Sequence, residues 1–274
     1  MKHGFPFFKR PSAIVGAALL AFILVLAAGG SFLTPYSPYA QNLDNKLQPP
    51  GAAHFFGTDD FGMDVFTRIA VGARYSLSAG FVSVFVGLAG GLLLGMPAGY
   101  LGGAADKGLM FLCDVILAFP GILLAMAISM VLGPGIYTPM IAVGISSVPV
   151  FARLIRARFL AIRSLPFIEA MTAAGASHMR IALVHILPNS FGAILVQATL
   201  RMGVAIITSS TLSFLGLGAQ PPEPEWGAML NAARANFWQA PHLAIFPGLA
   251  ITLTVIAINL LGDALRDQLD PLTR

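Results

Sequence analysis

Long runs without a charged residue recur along this chain, and they constrain its fold more than any other feature. The first, residues 11–33, has the roughly 20 residues that a membrane-crossing helix needs. The chain is 57% hydrophobic and only 10% charged, whereas soluble domains carry about 25% charged residues. The sequence therefore predicts an all-α, polytopic membrane protein, because helices satisfy their own backbone hydrogen bonds inside lipid.

The apolar runs predict six transmembrane helices. They lie at residues 11–33, at 77–101, from the end of a short loop at Asp106 and Lys107 to 132, and at 136–151, 191–215 and 242–261. A cleaved signal peptide is the alternative for the first run. Its apolar core is usually about 7–15 residues long, however, which is shorter than this run. The polar stretches between the runs predict an interfacial amphipathic helix in the second half of residues 57–74 and another at 226–237.

Three regions follow from this pattern. Residues 1–33 form a tail and the first transmembrane helix, 34–75 an outer segment, and 76–274 a core of five transmembrane helices with a cytoplasmic loop at 153–190. Lys and Arg concentrate on the cytoplasmic side of membrane proteins. With both termini inside, that side receives Lys2, Lys9, Arg10, Lys107, Arg153, Arg156, Arg158, Arg163, Arg180, Arg266 and Arg274, and the outside only Lys46, Arg68, Arg74 and Arg234. We interpret the net charge of +4 as this topology signal and expect no nucleic-acid partner.

The sequence contains no recognisable catalytic or metal-binding pattern. Cys113 is the single cysteine, the five histidines are scattered, and no GxSxG or HExxH motif occurs. The phosphate-binding loop GxxxxGK[ST] is also missing. We therefore expect a protein that is not an enzyme and binds no metal or cofactor. If ATP drives it, ATP and Mg²⁺ belong to another chain.

A helix–glycine–helix segment at residues 164–188, which we call the elbow, interrupts the apolar runs. Ser164 is expected to cap its first helix, with Pro166 in the first turn. Gly175 is placed to end that helix with a left-handed residue, and Ser177 to cap the second. Pro188 is expected to stop the second helix or to kink its exit. Such a segment suits a lever that docks on a partner outside the bilayer, although an ordinary amphipathic loop has the same pattern.

Small residues recur every fourth position from Ala79 and Ser83 through Gly87, Gly91, Gly95 and Gly99. This spacing predicts one smooth helix face against which another helix packs closely.

Two ionisable residues, Asp114 and Arg201, fall within predicted transmembrane helices, where a charge is costly unless it is paired or hydrated. Asp114 is either a group near the membrane interface or a functional residue. Arg201 is a candidate for a wet substrate path or for a pair with a carboxylate of a neighbouring subunit, and a tilted arginine near the membrane interface is the alternative.

Several segments resemble known sequences. Glu169-Ala170, Gly175 and Leu187-Pro188 resemble the EAA loop of ABC importer permeases, with Met171 in place of the second alanine. GTDDFGMDVFTR is similar to GTDxxGRDVxSR of the same family, with Met63 in place of its arginine. CDVILAFPGILLA, HILPN, LSFLGLGAQPPEPEWGAML and NLLGDALRDQLDP also look like C-type permeases of dipeptide, oligopeptide and nickel ABC importers, so the resemblance covers nearly the whole chain.

The resemblance implies a type I ABC importer permease fold in the bacterial inner membrane. It also implies a heterodimer with a second homologous permease, two ATP-binding subunits and an extracytoplasmic substrate-binding protein that docks on residues 34–75 and 219–241. Residues 165–182 would act as a coupling helix in a cleft of the ATPase, and the coupling residues carried over from the motif are Glu169, Ala170, Ala174, Gly175, Ala176, Leu187 and Pro188.

The expected cargo is a di- or oligopeptide, with nickel chelates, glutathione and opine-like molecules as alternatives. Arg201 and LSFLGLGAQPPEPEWGAMLNAARA resemble the glutathione-importing branch, and an arginine along the path would suit an anionic peptide. Two hypotheses from other classes are weaker. An ion-coupled transporter or channel would need more buried carboxylates or repeated half-helices. A membrane-embedded enzyme would need clustered histidines, aspartates or serines in its transmembrane helices.

Overall fold

The computed structural model describes residues 10–30 and 32–269. The residues Lys2, Lys9 and Arg274 and the predicted helix end at Pro271 lie outside this part. The helices are α1 (Pro11–Gly29), α2 (Val65–Leu101), α3 (Gly103–Leu117), α4 (Gly121–Leu132), α5 (Thr138–Arg163), α6 (Pro166–Ala173), α7 (His178–Arg180), α8 (Leu187–Phe214), α9 (Trp226–Ala233) and α10 (His242–Leu269). Short 3₁₀ turns occur at Leu43–Asn45 and Arg234–Asn236, and π-helical turns at Ile181–Ile186 connect α7 to α8.

Within residues 10–30 and 32–269, five helical stretches are long and apolar enough to cross a membrane: α1, α2, α5, α10 and the continuous run His178–Phe214. The predicted third transmembrane helix is divided, because α3 and α4 meet at an angle of 86°. Pro120 is the N-cap of α4, and a residue that precedes proline, here Phe119, disfavours the helical conformation. The all-α class is confirmed, with six transmembrane segments if the bent pair counts as one.

Helix α2 begins earlier than the sequence predicted. Asp64 caps its N-terminus by accepting a hydrogen bond from the Thr67 amide, and the helix then runs unbroken for 37 residues, about 55 Å at 1.5 Å per residue. The predicted interfacial amphipathic helix is therefore wrong. Residues 65–73 are the first turns of α2, and they are buried nearly all round, except at Phe66, instead of presenting one apolar face to lipid.

Helices α2 and α5 form the centre of the molecule. The predicted small-residue stripe of α2 faces α5 at very short range. A methyl group added to Gly91 would lie 2.3 Å from Cβ of Phe151, and one added to Gly99 would lie 2.6 Å from Cβ of Phe159. Gly87 and Gly95 face the same helix, against Gly144, Ser147 and Phe151 and against Ala152 and Ile155 respectively. Only glycine leaves the space that this approach requires.

The molecule has two distinct ends. At one end, residues 32–64 and 215–241 form a layer over the helices, which we call the cap. The elbow lies at the other end. Ion pairing between Arg10 and Asp267 joins the start of α1 to the end of α10, and Leu269 packs near Gly192 at the start of α8. The first turn of α1 and the last turn of α10 therefore lie at the elbow end.

Candidate functional site

The elbow is a helical hairpin closed by a glycine turn. Helix α6 ends in a Schellman motif, in which the Ala176 amide donates to the Met171 carbonyl at 3.1 Å and the Gly175 amide to the Thr172 carbonyl at 3.0 Å. Gly175 has φ of +81°, as the sequence predicted. The Ser177 side chain accepts a hydrogen bond from the Arg180 amide and begins α7.

Two predicted boundaries of the elbow are wrong. Leu165, not Ser164, is the N-cap of α6, although Pro166 occupies the first turn as expected. Ser164 closes α5 instead, and its hydroxyl donates to the Ala161 carbonyl at 3.0 Å. Pro188 does not stop the second helix, since it lies in the first turn of α8 directly after the π-helical turns. The turns before it are π-helical, with the Leu187 amide donating to the Ala182 carbonyl five residues back, and Pro188, which has no amide hydrogen, follows them without ending the helix.

The structure places the predicted coupling residues in two groups. Glu169, Ala170, Ala174 and Gly175 are exposed on α6 and its turn, while Ala176 packs against the apolar cluster beneath. In the second group, at the start of α8, Leu187 packs against the same cluster and Pro188 is exposed. The π-helical turns lie between the two groups. The exposed face of α6 is thus accessible to another protein, as are residues of α7 such as Met179.

Buried apolar residues anchor the elbow to the helices above it. Ile168 of α6 and Ile181 of the π-helical turns belong to one cluster with Phe151, Ile155 and Phe159 of α5. A cleft of about 750 Å³ remains between α6 and the end of α2, with Glu169 and Thr172 on its α6 side. A movement of α6 therefore bears directly on α5, through buried contacts.

Polar contacts also join the elbow to α2. The Tyr100 hydroxyl and Nδ1 of His178 are 2.9 Å apart. The Arg163 guanidinium lies 5.5 Å from the centre of the Tyr100 ring, within the range of a cation–π interaction. No local sequence pattern predicts the contacts among these three residues, because they are 15 to 78 positions apart.

Asp114 forms an ion pair with a residue of a neighbouring helix. Its carboxylate lies 2.7 Å from Arg153 of α5, with both side chains more than half exposed. A second pair, Asp106 with Arg156, joins the same two helices, with one N–O distance of 2.6 Å. These pairs hold α3 against α5, and neither arginine was predicted to have such a partner.

Arg201 lies on a face of α8 that the chain leaves partly uncovered. Gln197, Thr208 and Thr211 share this face with the exposed Val204, because their spacing from Arg201 follows the helical repeat. Among the described residues no carboxylate pairs with Arg201. Buried residues such as Ile206 and Leu212 occupy the other side of α8. The arrangement gives one half-buried cation on a polar helix face at membrane depth.

The cap is held together by Arg68, which is buried near the start of α2. Its guanidinium donates to the Pro38 carbonyl at 3.0 Å and to the Pro222 carbonyl at 3.2 Å, and it lies 3.5 Å from the Asp59 carboxylate. Burial raises the pKa of Asp59 above its ordinary value, and the charge of Arg68 opposes that shift. Arg68 thus links both parts of the cap.

Two further buried groups, Trp226 and His54, fix the cap to α2 or its N-cap, and a third, Glu225, begins a helix within the cap. The Trp226 indole N–H donates to the Ile69 carbonyl at 3.0 Å. Glu225 accepts from the first amides of α9, and burial raises the pKa of its carboxyl. His54 contacts the Asp64 carboxylate at 2.9 Å. Within residues 10–30 and 32–269, no three histidine, cysteine or carboxylate side chains are arranged to hold a metal ion.

Comparison with known proteins gives the family. The model of the family "Binding-protein-dependent transport system inner membrane component" matches residues 91–274. That of "N-terminal TM domain of oligopeptide transport permease C" matches residues 6–50. The chain is similar to glutathione transport system permease proteins, with 49% identity to that of Pectobacterium atrosepticum and 51% to that of Escherichia coli O6:K15:H31, each over 96% of this chain and 88% of the relative.

A solved structure shares the fold. The methionine ABC transporter MetNI, in an inward-facing conformation, has a chain that matches with a TM-score of 0.59 and 20% identity, over 74% of this chain and 97% of that one. The expected type I ABC importer permease fold is confirmed. Because two family models and near full-length relatives agree, this chain belongs to the binding-protein-dependent transport system inner membrane components, as a multi-pass ABC importer permease of the peptide and nickel family.

Proposed function

We propose that this permease forms, with a second homologous permease, the membrane path of an ATP-driven importer of glutathione or a similar small anionic peptide. The relatives with 49–51% identity are named as glutathione permeases. The observation that carries the proposal for this chain is Arg201, a half-buried cation without a carboxylate partner in the described part. A cation on a polar helix face attracts an anionic cargo and is itself hydrated by the path.

The elbow end is proposed to be cytoplasmic, with both termini on that side. Basic residues concentrate there, which matches the positive-inside pattern: Arg10, Lys107, Arg153, Arg156, Arg158, Arg163, Arg180 and Arg266. The cap then faces outward and receives the substrate-binding protein. Two ATPase subunits hold ATP and Mg²⁺, and one of them takes the exposed face of α6 in a cleft. This chain supplies no phosphate-binding loop of its own.

Uptake by the reconstituted importer tests the proposal. The chain is co-expressed with its partner permease, ATPase and binding protein, and labelled glutathione is supplied outside liposomes that are loaded with ATP. Competitors are unlabelled glutathione, di- and tripeptides, an opine and a nickel chelate. We expect ATP-dependent uptake that unlabelled glutathione competes best. Arg201→Gln should lower uptake by about tenfold or more, because a charge-assisted hydrogen bond contributes about 1.5–3 kcal/mol. Arg201→Lys keeps the charge and is the matched control.

The outcomes separate the alternatives. Absence of glutathione uptake, with ATP-dependent uptake of a labelled opine or nickel chelate in its place, would replace glutathione as the cargo and leave the importer intact. Uptake that follows an ion gradient without an associated ATPase would indicate a secondary transporter and contradict the proposal. Equal uptake in Arg201→Gln and wild type would remove Arg201 from the path.

A further inference from the structure

We infer that the contact between Tyr100 and His178 transmits movement between the elbow and α2, so that α2 carries the signal between the ATPase and the cap. The inference rests on the proposed function, since it assigns the route by which the two ends of the importer communicate. Tyr100 is a positioning residue in this scheme. It touches neither cargo nor nucleotide, and it acts through the helix of which it is part.

Helix α2 reaches both ends of the molecule. Its first turns lie under the cap. There Arg68 donates a hydrogen bond to the Pro222 carbonyl, and the Ile69 carbonyl accepts one from the Trp226 indole. Its last turn contains Tyr100 beside the elbow. Pro97 removes one backbone hydrogen bond near that end, yet the helix continues to Leu101. One helix of about 55 Å therefore spans the distance from the cap to the elbow.

Tyr100 contacts one residue that precedes α6 in the chain and one that follows it. Arg163, the last residue of α5, lies over its ring, and His178, the first residue of α7, meets its hydroxyl and also contacts the ring edge with centroids 5.7 Å apart. Helix α6 lies between these two positions in the chain. Displacement of α6 by a docked ATPase therefore moves both partners of Tyr100 at once.

The hydroxyl contact is distinctive among the polar contacts of the elbow. Of the side-chain hydrogen bonds among described residues, it is the one that joins residues 164–188 to a helix other than α5 or α8. The other connections to α2 are apolar, through partly buried residues such as Met96 and Leu92 that pack on the common cluster. Apolar contacts tolerate sliding, whereas a hydrogen bond fixes distance and direction. This makes the Tyr100–His178 contact the directional connection.

The stimulation of ATP hydrolysis by the binding protein provides the test. The purified complex in nanodiscs is assayed with and without binding protein, for wild type and for Tyr100→Phe, which removes the hydroxyl and keeps the ring. We expect stimulation to fall roughly three- to tenfold, the range that one hydrogen bond covers, while ATPase subunits co-purify in wild-type amounts. Tyr137→Phe removes an exposed tyrosine hydroxyl elsewhere and should leave stimulation unchanged.

A double-mutant cycle distinguishes a specific contact from a general structural effect. If Tyr100 acts through His178, Tyr100→Phe should have no further effect in the His178→Gln background. Wild-type stimulation in Tyr100→Phe, or losses that multiply in the double variant, would overturn the inference and leave the importer function standing. A wild-type chain that assembles with no ATPase would overturn both.

Discussion

At the cap, the charged residues Arg68 and Asp59 are largely buried and paired with each other, whereas Glu169 at the elbow is exposed and has no ion pair among the described residues. The Arg68 side chain is 7% exposed and contacts two carbonyls and a carboxylate from both parts of the cap. Glu169, on the elbow, is exposed and takes part in none of the hydrogen bonds or ion pairs found among the described residues. The cap thus completes its own polar contacts, while the elbow leaves them for another molecule.

The contrast extends to backbone geometry. A side chain added at Gly62 of the cap would meet the Asn42 carbonyl at 1.7 Å, while one added at Gly175 of the elbow would meet nothing within 4 Å. Both glycines have positive φ. Packing therefore fixes the cap turn, and local backbone preference alone fixes the elbow turn. Close packing holds the cap turn in one position, whereas the open space around Gly175 leaves α6 room to move.

The largest expected effect is on stability at the cap. Arg68→Ala leaves Asp59 buried without its cation and removes two contacts to carbonyls, so we expect a loss of about 3–5 kcal/mol in the free energy of unfolding. Thermal unfolding in detergent measures it. Arg153→Ala, which breaks an exposed pair with Asp114, is the matched control and should cost about 0.2–1 kcal/mol. Equal losses in the free energy of unfolding in the two variants would contradict the difference between the buried charges of the cap and the exposed charges towards the elbow end.

A smaller stability effect with a large functional one is expected at the elbow turn. Gly175→Val forces a β-branched residue to positive φ, which costs about 1–2 kcal/mol or more, without any steric contact. The protein should insert and fold, but uptake should be lost because the turn takes another direction. Gly175→Asn tolerates positive φ and should retain most of the uptake. Normal uptake in the valine variant would show that the turn does not set the coupling geometry.

The smallest stability effect is expected on the exposed face of α6. Glu169→Lys should change the free energy of unfolding by no more than about 0.5 kcal/mol, yet it should weaken co-purification of the ATPase. Asp44→Lys reverses an exposed carboxylate at the cap and should leave co-purification intact. If both variants bind the ATPase like wild type, the contact lies on another face of the elbow.

Features that depend on local backbone geometry were predicted from short sequence patterns. The turn at Gly175 follows from the need for a left-handed residue, and the four-residue spacing from Gly87 to Gly99 follows from helix geometry. The start of α6, with Leu165 as its N-terminal capping residue, was predicted wrongly, and so was the end of a helix at Pro188. The path of the neighbouring helices decides where a helix begins. Contacts between distant positions, such as Tyr100 with His178, leave no pattern in a single sequence.

The π-helical turns at Ile181–Ile186 set the angular relation between the elbow and the polar face of α8. A π-turn holds one more residue than an α-turn, and each residue rotates an α-helix by about 100°. Loss of that extra residue would restore ordinary helix and turn α6 about the axis of α8 by roughly the same angle. The exposed face of α6 and Arg201 are thus held at a fixed rotation about the axis of α8 by one additional residue.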